Sequence, residues 1–268
     1  MLELTGEPLR KVALFGGAYS NHLALRATVA DAQRRGAEAL WFLGDAGGFG
    51  PSPDRTVELL RTLPIRAIQG NYDDSVGHGR EDCACGYTDP RDNHFAQITY
   101  DYTLDNTSPE HRTWLAALPS KARIRVGDAH VLLAHGSPRR INEFLWESTT
   151  PAGFIDHLCR RYETDLVACT HTGMHWERRL PDGRGVINVG AIGRPPNDGR
   201  RTVWYALLEW QDGRVQTTFV PVEYDWRALV DEMREERIPE EFVETIATGW
   251  WTTCLEILPA RERQRGRY

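Results

Sequence analysis

Long apolar runs are missing from this 268-residue sequence. No stretch is long enough to cross a bilayer, and the N-terminus lacks a charged-apolar-small leader, so neither a membrane span nor a secretory signal is expected. Cysteine is sparse and odd in number, five in all, with only Cys83 and Cys85 close together. That usage argues against a disulfide framework and for a reducing, cytoplasmic setting. A single residue separates those two thiols, not the two usual in zinc and redox pairs, and no second pair exists, so a structural zinc is not expected. Lysine is nearly absent, with Lys11 and Lys121 beside thirty arginines, which by itself decides nothing about function. A surplus of either charge is lacking too: the formal charge is −6 and the pI about 5.9, with both signs mixed along the chain. That balance gives no reason to expect a nucleic-acid partner or a membrane surface. There is no internal repeat.

What the sequence does have is a set of short apolar strands that each end in a lone-pair donor. Ala39 to Leu43 is apolar and passes directly into Gly44-Asp45. Such a run, bounded by a breaker, predicts a buried strand whose glycine turns the backbone and leaves the carboxylate at the C-terminal edge. Sheets of α/β proteins place their sites at that edge. Ile65 to Gln69 repeats the pattern and ends in Gly70-Asn71-Tyr72-Asp73. Val131 to Ala134 ends in His135-Gly136, and Leu166 to Cys169 ends in Thr170-His171-Thr172. Alone, each donor reads as an ordinary hydrogen-bonding residue. Together, a carboxylate, an amide and two imidazoles at the same structural place suit a divalent transition metal.

The series Gly44-Asp45, Gly70-Asn71-Tyr72-Asp73, His135-Gly136 and His171-Thr172 resembles the calcineurin-like metallophosphoesterases, in their small bacterial branch. The resemblance covers about residues 11 to 222 and includes Asn188-Val189-Gly190-Ala191, similar to the family's Asn-Pro-Gly-Ser loop with two residues replaced. It implies an α/β fold of two mixed β-sheets packed face to face with flanking helices, a four-layer sandwich. It also implies a divalent ion, Mn, Fe, Zn or Ni, held by Asp45, Asn71, His135 and His171.

The family pattern further contains Asp-x-His after the first strand and Gly-His-x-His late in the chain. Here those positions read Gly17-Ala18-Tyr19 and Thr170-His171-Thr172-Gly173. In the family the missing side chains hold one ion of a pair, while every ligand of the other ion is present. One ion per chain is therefore expected, beside a degenerate half-site. Tyr19 stands where a ligand stood, and a phenol with pKa about 10 is a poor ligand but a good proton donor. Tyr72 takes the place of the histidine that in the family protonates the leaving group, and Asp73 is expected to hydrogen-bond its neighbours. Tyr72, Asp73 and Tyr19 form the expected catalytic set. Arg139, Arg140, Arg194 and Asn21 are the expected contacts to a small anionic substrate, because guanidinium groups clamp phosphate or carboxylate through two donors. For the arginines the alternative is surface solubility. His22 and His175 lie near the lost positions and read more readily as packing residues than as ligands.

A single domain over residues 1–268 is expected, beginning with a polar lead-in over the first ten. Helices are expected at about 21–35, 54–63, 108–118, 150–162, 226–236 and 240–248, with additional strands at 11–15 and 123–126. Residues 176–220 read as a β meander with turns at Asp182-Gly183 and Asp212-Gly213. Segment 74–100, polar and aperiodic, reads as a lid loop near the site. Residues 224–268 read as a C-terminal helical extension covering an edge, with a charged, frayed tail from Arg261. Trp250-Trp251 reads as core or interface, and an exposed pair would mark a homo-oligomer surface.

These features favour a metal-dependent hydrolase acting on a small phosphorylated metabolite or nucleotide-like compound. Two other readings stay open: a one-ion enzyme of changed, non-phosphatase chemistry, and a non-catalytic ligand-binding protein. The intact ligand set weighs against the last. The concerted loss of the other half-site favours changed chemistry over an ordinary phosphatase.

Overall fold

The computed structural model describes residues 2–3 and 7–266. The first half runs β1 (Leu2–Glu3), β2 (Lys11–Phe15), α1 (His22–Arg34), β3 (Ala39–Phe42), α2 (Pro53–Thr62), β4 (Ile65–Ala67), α3 (Asn71–His78), α4 (Pro90–Asp105) and α5 (Pro109–Ala116). It continues with β5 (Lys121–Val126), β6 (Ala129–Ala134), α6 (Ala152–Arg161), β7 (Leu166–Cys169), β8 (His175–Arg179) and β9 (Gly185–Val189). The hairpin of β10 (Val203–Gln211) and β11 (Arg214–Val222) precedes α7 (Trp226–Glu235), α8 (Glu240–Thr248) and α9 (Ala260–Arg263). Local chemistry sets many of these ends. Asn21 caps α1 by accepting the Ala24 amide at 3.0 Å, and Asp89 and Ser108 cap α4 and α5 in the same way. Pro53, Pro90 and Pro109 stand in first turns, where a missing N–H breaks no helical bond.

The strands form two mixed sheets, one ordered β1-β5-β6-β7-β9-β8 and the other β11-β10-β2-β3-β4. Within them β2, β3 and β4 run parallel, as do β6, β7 and β9. Alternate residues serve different cores because successive side chains point to opposite faces. Val12, Leu14 and Trp41 meet Ile124, Leu133 and Ala168 between the sheets. Phe15, Leu40 and Phe42 lie instead under α1 and α2, against Leu25, Val29 and Leu60. The outer face of the other sheet, with Val167 and Val186, is covered by Ile155, Leu158 and Cys159 of α6. The layers are helix, sheet, sheet, helix, the expected sandwich. Burying one such apolar side chain contributes about 1.5–3 kcal/mol, so the shared core firmly sets one parallel block against the other.

Several expectations need correction. Segment 74–100 is not one loop: α3 runs to His78, Gly79 ends it at φ +61°, and α4 begins at Pro90. Helix α4 carries little apolar periodicity because its buried face is Asp92, Ala96, Thr99, Tyr100 and Thr103, with hydroxyls where leucines would signal a helix. Residues 176–220 are not one meander but two hairpins, β8–β9 in the first sheet and β10–β11 in the second. Helices α7 and α8 do not cover only a sheet edge; they pack on Leu23, Phe49, Phe95 and Tyr102. The tail is docked to residue 266, with buried Glu262 accepting the Ser148 amide at 2.8 Å. Cys83 and Cys85 are joined as a disulfide, so the cysteine count alone does not establish a reducing compartment. In the lead-in, Leu2–Glu3 pairs with Ala122–Arg123 of β5; residues 1 and 4–6 lie outside the described residues.

Candidate metal centre

The site forms where two turns meet beyond β3 and β4. Gly44 and Gly70 are in such close approach that a Cβ on Gly44 would lie 2.3 Å from the Gly70 nitrogen, and one on Gly70 2.3 Å from Asp45 Oδ1. Only glycine permits this contact. Asp45 itself has φ +65° and His171 has φ +70°. Left-handed backbone at a residue other than glycine is strained, and such strain clusters at functional sites. Asp45 Oδ1 accepts the Tyr72 amide at 3.0 Å in the first turn of α3, where unpaired N–H groups favour a carboxylate. That leaves Oδ2 to face His135 Nε2 at 3.1 Å.

Hydrogen bonding fixes the lone pairs. His135 Nδ1 lies 2.7 Å from the Leu43 carbonyl, which only accepts, so the ring donates its proton there. In the neutral ring Nε2 then carries a lone pair, 3.2 Å from His171 Nδ1. Asp45, His135 and His171 are all buried, with one ligand atom each lying within 4.8 Å of one another. Asn71 donates its Nδ2 to the Cys83 carbonyl at 2.8 Å, which leaves its buried Oδ1 without a partner. Converging lone pairs and an orphaned amide oxygen fit a cation and little else. Electrostatics agree. Burial opposes charge on Asp45, but His135, His171 and the Tyr72 amide together outweigh it and hold the carboxyl below its ordinary range. Burial, with His135 alongside, pushes His171 down to about 3, so its ring is neutral, as a ligand must be.

Asp73 supports this cluster from behind. Its carboxylate accepts the amides of Asp45, Ala46 and Gly70 at 2.8, 2.9 and 2.8 Å. Both oxygens are thus committed to backbone, which ties the Asp45 turn to the Asn71 turn and makes Asp73 a positioning residue. Tyr72 is turned away: its hydroxyl lies 3.0 Å from Thr99 Oγ1 and 3.3 Å from the Ala96 carbonyl on α4. That commitment removes it as the expected proton donor. Tyr19 remains, buried with φ +48° and its ring 4.8 Å from that of Phe49. Burial raises its pKa, so the phenol keeps its proton.

The expected substrate contacts separate in the same way. Arg139 is exposed, paired with Glu143 and set over the Phe154 ring at 4.7 Å. Arg140 is also exposed, so neither points into the buried cluster. Asn21 caps α1 and donates to the Gly193 carbonyl at 3.1 Å, which leaves it a scaffold role. Arg194 is buried beside Tyr19, 4% exposed, and faces Trp251. His22 pairs with Glu232 and His175 stacks on Trp204, both away from the ligand cluster. Phe144, which had no signal in sequence, stacks on His171 at 4.2 Å. Trp251 is 2% exposed under Arg194, a core position as expected of it and not part of an exposed tryptophan pair. The loop between α3 and α4 does touch the site, through Cys83 on Asn71 and through Ala84, which accepts Asn142.

Two sheets sandwiched by helices, with a buried carboxylate, amide and two imidazoles at converging strand ends, define a metallophosphoesterase architecture. The chain belongs to the calcineurin-like phosphoesterase superfamily, whose domain profile matches residues 12–213. The uncharacterized protein MJ0912 of Methanocaldococcus jannaschii is 26% identical over 251 residues, covering 89% of this chain and 98% of that one. A metallophosphoesterase structure from Sphaerobacter thermophilus is 29% identical with a TM-score of 0.69, covering 91% of this chain and all of that one. The hypothetical protein PH1004 of Pyrococcus horikoshii has a TM-score of 0.73 at 22% identity, covering 90% of this chain and 99% of that one, a likeness of fold. Among the described residues no helix is long and apolar enough to cross a membrane.

Proposed function

We propose that this protein is a hydrolase that uses one divalent ion, held by Asp45, Asn71, His135 and His171, to cleave a small phosphorylated compound. The observation that carries the reading is the convergence of buried Asp45, His135 and His171 atoms, with a partnerless Asn71 Oδ1 in the turn whose Tyr72 amide binds Asp45. When bound, such an ion supplies a Lewis acid and lowers the pKa of its water. Asp73 holds the ligand turns in place, and Leu43 fixes the His135 tautomer. Tyr19 keeps its proton and serves as the hydrogen-bond donor to the substrate's oxygens.

A one-ion chemistry distinct from that of two-ion relatives is favoured by the packing at Gly17 and Gly173. A Cβ on Gly17 would lie 2.8 Å from Tyr19 Cζ, and one on Gly173 would lie 3.1 Å from Trp251. The positions that lack ligands are thus filled by other side chains. Elemental analysis of the purified protein, with an aryl phosphomonoester and diester assay, tests the reading. One ion per chain, with turnover lost in Asp45→Asn, is the expected result. Two ions per chain, or none after reconstitution, would sink it.

A further inference from the structure

We propose that the buried guanidinium of Arg194 takes over the charge of the missing second ion and binds the phosphoryl oxygens of the substrate. This deepens, and rests on, the one-ion phosphohydrolase reading above.

The argument begins with occupancy. A Cβ on Gly173, one of the positions without a ligand, would lie 3.4 Å from Arg194 Nη2 as well as against the Trp251 ring. The vacated half-site therefore contains a cation. A half-site that had merely decayed would close with apolar packing. Here the guanidinium lies 3.6 Å from the Trp251 ring centroid, 4.5 Å from that of Phe49 and 5.7 Å from that of Tyr19.

Aromatic contact alone does not offset the burial of this cation, and two of its donors are idle. A desolvated cation–π contact contributes about 2 kcal/mol, whereas removing a charge from water costs several kcal/mol even after relaxation. Arg194 Nε and Nη1 are buried and have no hydrogen-bond partner among the described residues. The titratable neighbours do not supply the balance: burial raises the pKa of Tyr19, Tyr87 and Cys254, so all three stay neutral. On its other side Arg194 borders a small cavity of about 10 Å³ whose walls include Phe49, Leu229, Met233, Phe242 and Ile246, again without a carboxylate. An always-charged fork with idle donors matches an oxyanion that accepts through two oxygens.

The group is also held in advance of binding. Asn21 Nδ2 donates to the Gly193 carbonyl at 3.1 Å, and the Gly193 amide donates to the Gly17 carbonyl at 2.7 Å. Trp251 Nε1 donates to the Pro195 carbonyl at 2.6 Å and its amide to Asn197 Oδ1 at 2.8 Å. The backbone on both sides of Arg194 and the platform beneath it are thereby fixed. In this chain one bound ion and one guanidinium share the neutralisation that paired ions provide elsewhere.

The test compares the metal-loaded wild type with Arg194→Met, using inorganic phosphate as the probe. Phosphate affinity by calorimetry, metal content by elemental analysis and melting temperature with and without phosphate are read on each. Phosphate affinity is expected to fall at least tenfold in Arg194→Met at unchanged metal content. Phosphate should raise the wild-type melting temperature and not that of the variant, and the phosphate-free variant should melt no lower than wild type. Equal phosphate affinity in the two proteins overturns the proposal, as does a lower melting temperature in the variant with affinity retained, which marks a purely structural arginine. If Arg194→Met does not fold, Arg194→Gln carries the same test, and wild-type phosphate affinity in that variant overturns it. Metal content judges the one-ion reading and the phosphate difference judges Arg194, so the two failures are distinguishable.

Discussion

The carboxylate of Asp73 accepts the backbone amide of Asp45 at 2.8 Å. With the Ala46 and Gly70 amides it completes a buried brace between the two turns that carry Asp45 and Asn71. Replacing it by asparagine puts an NH₂ group against one or more of these N–H donors and leaves buried amides unpaired. Asp73→Asn is expected to cost about 1–3 kcal/mol of stability and about 10–100-fold in metal affinity. Thermal denaturation and a metal titration check both. Wild-type affinity with reduced stability would limit Asp73 to a folding role.

His135 and His171 supply the two imidazoles, 3.2 Å apart between Nε2 and Nδ1. Removing either leaves too few donors to retain a transition ion, while the sheets on which they stand remain packed. His135→Ala and His171→Ala are each expected to purify folded and without stoichiometric metal. Circular dichroism and elemental analysis decide this, and wild-type stoichiometry in both variants would show that the ion sits elsewhere.

Restoring the family pattern at the degenerate half-site is not expected to restore a second ion. Gly17 and Gly173 have φ of +54° and +74°, and their Cβ positions are crowded by Tyr19, Ala191 and Trp251. Moreover, the Arg194 cation would repel the incoming ion. The triple change Gly17→Asp, Tyr19→His and Gly173→His should therefore keep one ion per chain and lose stability. Adding Arg194→Ala should raise the stoichiometry above that of the triple variant. Two ions in the triple variant alone would contradict this account.

A pH dependence should arise from His175, which stacks between Trp204 and Phe219. Burial lowers its pKa from 6.5 to about 4, although Asp198 partly opposes this. The unfolded chain then binds this proton more readily than the folded one. Stability from this group is fully present above pH 6.5 and is lost as pH falls toward 4. The linked change is of order 1–3 kcal/mol. Denaturant melts at pH 7 and 4.5 should show a smaller drop in His175→Phe than in wild type. An equal drop would assign the acid sensitivity to other groups.

Much of the site was legible before any coordinates. Asp45, Asn71, His135 and His171 each follow an apolar run closed by a turn, and the ends of parallel strands converge because the sheets share one core. Strand alternation and strand-end breakers are local properties, so the strand-end donors could be read along the chain, while the layered fold and the missing Asp-x-His followed from the resemblance to the family. Helix α4 was less legible, since its buried face is built from threonine and tyrosine whose hydroxyls find partners only in the folded protein.

What the sequence by itself determined was which donors stand at strand ends and which half-site is incomplete. Tertiary structure alone decided how the remaining side chains spend their charges and hydrogen bonds. The Asp73 carboxylate goes to backbone amides and the Tyr72 hydroxyl to Thr99, while Arg139 turns to Glu143 and leaves Arg194 as the buried cation of the site. The physical reason is competition: a polar group takes the partner that packing brings within reach. Trp251, distant in sequence, meets Arg194 only because the C-terminal segment folds back over the site.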